Sequence, residues 1–161
     1  RLNNIVGDTL VPPQAKIQEH TKLVPGTDGE KMSKSRDNII NIFLPDKKLR
    51  KQIMGIKTDS TPLEEPKNPD TDNVFALYKL MASEAQTEEM RQNYLGGNYG
   101  YGHAKQALYE LIVDRFKTVR ERYHHFMENK HEIDEALEIG AKKATIIAND
   151  VLQRVRQKVG Y

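Results

Sequence analysis

The sequence predicts a mainly α-helical protein with a loop-rich opening, on three observations. Residues 1–43 are interrupted by Gly7, Pro12, Pro13, Pro25, Gly26 and Gly29, which fits short extended pieces and loops. From about residue 70 onward, apolar side chains recur at helical spacing. Between these regions runs "TDSTPLEEPKNPDTD", a connector stiffened by Pro62, Pro66 and Pro69. The expected division is 1–66, a loop-bearing portion, and 67–161, a helical domain.

Each element has its own signal. In "FLPDKKLRKQIMGI", Pro45 suits a first helical turn, and Leu49, Ile53 and Ile56 follow at helical spacing. "DNVFALYKLMAS" comes after Asp70 and Asp72, whose charges favour a helix N-terminus. "TEEMRQNYL" predicts a helix with Thr87 as N-cap and a stop at Gly96–Gly97. A single long helix is expected from Ala104 to about Asn129, because Leu108, Leu111, Ile112, Phe116, Val119 and Tyr123 fall on one stripe. The last helix repeats the pattern through Ile133, Leu137, Ala144, Ala148, Val151, Val155 and Val159. Its small residues, Gly140, Ala141, Ala144 and Ala148, would let another helix approach closely.

Composition narrows the function classes. The 161 residues suit one domain or a small domain plus part of another, and 37% hydrophobic content allows a modest core. A net charge of +2, from 25 basic and 23 acidic residues, is too balanced to argue nucleic-acid binding from charge alone. The carboxyl end is locally basic, with Lys142, Lys143, Arg154, Arg156 and Lys158 against Asp150; this is a solvated face or an RNA-backbone contact. The absence of cysteine excludes disulfides and thiolate metal sites, and is compatible with the cytoplasmic location expected below. Apolar runs such as Thr145–Ala148 are far too short to span a bilayer. The chain opens on Arg1 in mid-pattern, so a portion of a longer protein is expected.

The stretch with most chemical content is "DGEKMSKSRDNII", Asp28 to Ile40. Lys31 and Lys34 could lie on one side of a tight turn, with Ser33 and Ser35 as neighbouring donors. Such a cluster suits a polyphosphate, because phosphoryl and nucleotidyl transfer depend on positive charge placed where negative charge develops. Lysine supplies a flexible point charge that can follow a moving phosphate. Gly26 and Gly29 would let the loop close and reopen. The spacing does not fit a P-loop, and a Lys/Ser-rich loop can also be merely solvated.

Other features have plainer readings. His124 and His125 are adjacent, hence about 100° apart on a helix, which does not favour chelation from one face. Asp59 in "TDS" reads as a turn or cap rather than a catalytic carboxylate. Tyr94, Tyr99 and Tyr101 could stack on bases, but among so many glycines they more readily pin an interhelical turn.

The pentapeptide "KMSKS" is the signature of class I aminoacyl-tRNA synthetases, and its surroundings agree. "PGTDGEKMSKS", "IMGIKTDS", "NPDTDNVFALY" and above all "YLGGNYGYGHAKQAL" resemble the carboxyl-terminal part of bacterial-type tryptophanyl-tRNA synthetases over nearly the whole chain. Tyrosyl enzymes usually carry a diverged loop and a different helical domain. The resemblance implies that 1–66 is the edge of a Rossmann-like α/β catalytic domain and 67–161 an α-helical domain for the anticodon arm. It implies ATP-dependent activation of tryptophan, then transfer to tRNA(Trp). Lys31 and Lys34 would be catalytic, and Lys31, Met32, Ser33, Lys34 and Ser35 would form the ATP site, Met32 packing beneath the loop. Mg²⁺ would arrive with ATP rather than on a protein metal site. A homodimer of the full-length enzyme and a cytoplasmic location are implied too. The nucleotide signature and tryptophan pocket would lie upstream of Arg1, so this portion alone should not activate tryptophan. The rivals are a tyrosine or other class I synthetase, and a non-catalytic helical RNA-binding module.

Overall fold

The computed structural model describes residues 1–17 and 23–161. The chain forms two compact units, Arg1–Ile17 with His124–Tyr161, and Gln18–Tyr123. Among the described residues the secondary structure is helical: α1 (Leu2–Val6), α2 (Asp46–Met54), α3 (Asn73–Lys79), α4 (Glu84–Gly96), α5 (Tyr101–Arg115), α6 (Lys117–Glu128) and α7 (Lys130–Val159), with one short 3₁₀ turn at Lys34–Arg36. The only β feature described is an isolated antiparallel bridge between Pro25 and Lys31. The mainly helical expectation holds.

In the larger unit α5 packs against α2 and α3, and α3 against α4. The core is built from Leu49 and Ile53 of α2, Val74, Phe75 and Leu77 of α3, Met90 and Tyr94 of α4, and Ala104, Leu108 and Ile112 of α5. Leu49, Ile53, Leu108 and Ile112 are among the positions that helical periodicity marks, and burying a side chain such as Leu108 contributes about 1.5–3 kcal/mol. Lys105, on the same helix, lays its Nζ 3.2 Å from the Met54 carbonyl, so a cation closes the C-terminus of α2. Burial pushes that ammonium below its ordinary pKa.

Several boundaries differ from the sequence expectation. Pro45 is the N-cap of α2 rather than its first-turn residue. The N-cap of α4 is Ser83, not Thr87: Ser83 and Gln86 form a reciprocal capping box, and Thr87 instead donates its hydroxyl to the Ser83 carbonyl at 2.9 Å. The single helix expected over 104–129 is two, broken at Phe116 with φ −99° and ψ 11°. Hydrogen bonding continues through the break, from Phe116 N–H to Ile112 O and from Arg120 N–H to Phe116 O, so the apolar stripe does not register the change in backbone angle. Arg120 then buries its guanidinium against the Ile42 carbonyl and the Asp46 carboxylate, and Tyr123 stacks on Phe43 at 4.3 Å.

The Pro-rich connector is fixed within the larger unit. Lys67, 3% exposed, donates Nζ to the carbonyls of Pro62, Leu63 and Glu65 and lies over the Tyr101 ring. Its backbone N–H bonds to Tyr94 O at 2.7 Å. The tyrosines do pin the turn between α4 and α5. Tyr94 is fully buried and donates to Asp72 at 2.8 Å, its ring near those of Tyr99 and Tyr101.

In the smaller unit, Asn3 holds the turn after α1 by accepting from Thr9 and Leu10 N–H and donating to Leu10 O. The thirty-residue α7 has no buried residue, and Leu137 and Ile146 remain exposed. His125 bonds Glu132 at 2.9 Å across the α6–α7 junction. Among the described residues there is no group of three or more His, Asp or Glu able to hold a metal, and no helix long and apolar enough to cross a membrane.

Candidate functional site

The Lys31–Ser35 stretch sits at the end of a narrow hairpin-like turn. Gly26 N–H donates to Glu30 O at 2.7 Å, Met32 N–H to Val24 O at 2.9 Å, and the Pro25–Lys31 bridge closes the pair. Lys34, Ser35 and Arg36 then form the 3₁₀ turn, and Asp37 ends it in the left-handed region at φ 52°. Lys31, Lys34 and Ser35 are exposed, whereas Met32 and Ser33 are half-buried. The two serine hydroxyls stand 2.8 Å apart. Met32 turns away from this polar edge and lines an apolar groove of about 220 Å³ with Val24, Ile40, Leu77, Met81 and Phe116. That agrees with a residue packed beneath the loop.

Both upstream glycines sit where another chain segment passes closely. A Cβ on Gly26 would lie 2.4 Å from the Asn38 side chain, and one on Gly29 would lie 2.5 Å from Asn73 Oδ1. Gly29 also has φ 87°, which disfavours any L side chain. Asn73 in turn donates to the Lys57 carbonyl at 3.0 Å, and Lys57 N–H to Thr27 O at 2.7 Å. The base of the loop is thereby tied to the segment after α2 and to the start of α3. These glycines provide close approach first; flexibility is a second consequence of the same missing side chain.

Next to this base lies a polar cleft of about 250 Å³, lined by Asp28, Lys57, Thr58, Asp59, Asp72 and Asn73 among others. Its carboxylates are already engaged. Asp28 accepts from Asn38, which holds its carboxyl below the ordinary value. Asp59 accepts from Tyr101 O–H at 2.6 Å and from Thr61 N–H at 2.9 Å, and these bonds lower its pKa as well. Burial, then the bond to Asp59, pushes the Tyr101 phenol up to about 12. Asp59 is therefore the turn residue its local sequence predicts. Asp72 caps α3 through Phe75 N–H at 2.8 Å and receives the Tyr94 hydroxyl.

Sequence reasoning missed three polar residues that fix this region: Asn38, Lys67 and Arg120. Asn38 lies in the Asp28–Ile40 stretch but outside its pentapeptide, and Lys67 and Arg120 lie in no quoted site motif. The one available signal was the glycine pair, which marks close approach without naming the partner.

The family model for class I tRNA synthetases of the tryptophan and tyrosine group matches residues 3–117. The chain belongs to that family. Among curated relatives, the tryptophan–tRNA ligase of Campylobacter jejuni (strain RM1221) is 42% identical over 160 residues, covering 99% of this chain and 50% of that protein. The tryptophan–tRNA ligase of Fusobacterium nucleatum is 44% identical over 148 residues, covering 92% of this chain and 45% of that protein. The crystal structure of Campylobacter jejuni tryptophanyl-tRNA synthetase complexed with ADP and tryptophan superposes with a TM-score of 0.85, covering 99% of this chain and 50% of that one. This synthetase-family chain thus spans about half the length of the curated relatives it matches. The family accounts for the recognisable loop, and its helical surroundings match the expectation drawn from "YLGGNYGYGHAKQAL".

Proposed function

We propose that this chain is the carboxyl-terminal portion of a tryptophan–tRNA ligase and carries its mobile ATP loop. The observation that carries the reading is Lys31–Ser35, an intact "KMSKS", presented on a turn that leaves both lysines exposed. In the full-length enzyme the tryptophan carboxylate would attack the α-phosphorus of ATP, forming tryptophanyl-adenylate and releasing pyrophosphate. The 3′-terminal hydroxyl of tRNA(Trp) would then attack the adenylate carbonyl and release AMP. Lys31 and Lys34 would hold the phosphate oxygens and stabilise the charge that builds on departing pyrophosphate. Ser33 and Ser35 would orient the loop and donate to the same phosphates, while Met32 anchors it from below. The donor set is cationic and fits phosphate; Mg²⁺ belongs with ATP as its counter-ion.

On this reading residues 1–66 are the edge of the catalytic domain and 67–161 the domain that meets the anticodon arm. The full-length enzyme would act as a homodimer in the cytoplasm. The relatives' shared activity on tryptophan favours that substrate over tyrosine within the family. Tryptophan-dependent exchange of pyrophosphate into ATP by the full-length enzyme tests the reading, with tyrosine as the control. Lys34→Ala should slow adenylate formation about 100-fold and leave tryptophan binding nearly intact. Comparable losses in both would assign Lys34 to folding instead.

A further inference from the structure

Asn38 is 2% exposed, although its neighbours in sequence give no reason for a buried amide. Its side chain places both of its donors and one acceptor bond on one short stretch. Nδ2 donates to Asp28 Oδ1 at 2.7 Å and to the Lys31 carbonyl at 3.2 Å, while Oδ1 accepts from the Ser33 N–H at 2.7 Å. A further bond runs from Thr27 N–H to the Asn38 carbonyl at 2.9 Å. The amide therefore grips the backbone on both sides of Met32, and Gly26 supplies the space it occupies. A buried amide stripped of these partners costs more than the bonds themselves contribute, so the grip is strongly specified.

We infer that Asn38 is the positioning residue of the ATP loop: by holding the Lys31 carbonyl and the Ser33 amide, it sets where the Lys31 and Lys34 ammonium groups can reach. The inference rests on the synthetase reading and extends it to a residue outside the pentapeptide. Charge stabilisation of a leaving phosphate depends on placement to within a fraction of an ångström, and a side chain that fixes the backbone at its root controls that placement.

The test uses the full-length enzyme with Asn38→Ala, Asn38→Asp, and Asn38→Asp combined with Asp28→Asn. Adenylate formation is measured in a single turnover and divided by active sites titrated in the same sample. Hydrogen exchange at the Ser33 amide is measured in parallel. Asn38→Ala should lower the per-site rate by about 10- to 100-fold, keep the tryptophan KM within about twofold, and speed exchange at Ser33. Asn38→Asp should be at least as slow, since it loses both donors and sets a carboxylate against Asp28. The combined variant restores a donor between positions 28 and 38 and should recover part of the rate. An unchanged per-site rate with fewer active sites would overturn the inference and leave Asn38 a folding residue. Unchanged exchange at Ser33 would overturn it as well. A wild-type enzyme that forms no adenylate would sink the synthetase reading separately, and Ser33 exchange would still decide whether Asn38 holds the loop.

Discussion

The bond between Tyr94 and Asp72 makes a quantitative prediction about the larger unit. Tyr94 is 0% exposed and its hydroxyl donates to Asp72 Oδ1 at 2.8 Å; the same oxygen accepts from Phe75 N–H at 2.8 Å and caps α3. Tyr94→Phe removes a hydrogen bond to a charged acceptor, which costs about 1.5–3 kcal/mol. Asp72→Ala removes the cap, about 1 kcal/mol, and strands a buried hydroxyl, about 1–3 kcal/mol more. In the double variant no hydroxyl is left to strand, so it should cost no more than Asp72→Ala, with a coupling of at least about 1.5–3 kcal/mol. Urea unfolding of the 161-residue chain reads this out. At a slope of about 2 kcal/mol per M, Tyr94→Phe should lower the midpoint by about 1 M. Additivity of the two substitutions within about 0.5 kcal/mol would refute the reasoning.

Two further outcomes follow from the caps and the carboxylates. Ser83→Ala should cost about 1 kcal/mol by removing the α4 cap, while Thr87→Ala should be close to neutral; the reverse order in the same unfolding assay would restore Thr87 as the cap. The Asp59 carboxyl is held below its ordinary value of 3.8, so its contribution to stability is present above that pH and is lost as pH falls through the lowered folded value. Asp59→Asn should flatten that acid limb, and an unaltered slope of stability against pH below about 4 would count against the Tyr101–Asp59 bond.

Legibility in the sequence divided along physical lines. Helices α2 and α5 were readable because each buries one face, which writes a 3.6-residue period into the sequence, and α3 and α4 from the charges, cap candidates and glycines at their ends. The break at Phe116 was not, since it changes one residue's backbone angle while leaving the stripe and the flanking hydrogen bonds in place. The α4 cap was misplaced because Ser83 and Thr87 are both plausible caps one turn apart, and only the reciprocal bond with Gln86 separates them. In the candidate site the exposed lysines and serines were legible as a motif. Asn38 was not, because its role is set by four partners spread over Thr27 to Ser33 and by the empty Cβ position of Gly26.

The three residues that sequence reasoning missed share one physical logic. Asn38, Lys67 and Arg120 are buried polar side chains that bond to backbone carbonyls or amides of irregular segments. Such segments cannot satisfy their backbone groups by helix or sheet pairing, so another donor or acceptor must be brought to them. Asn38 does this for the loop, Lys67 for the Pro-rich connector, and Arg120 for the stretch leading into α2. An apolar residue at any of these positions would keep the helices and free the segment. The expected result is a protein that still folds but no longer holds its loops in one place. If the loop brings two charges to a phosphate as proposed, the exposed Lys31 and Lys34 side chains can move while the backbone that carries them is kept in order where Asn38 is buried.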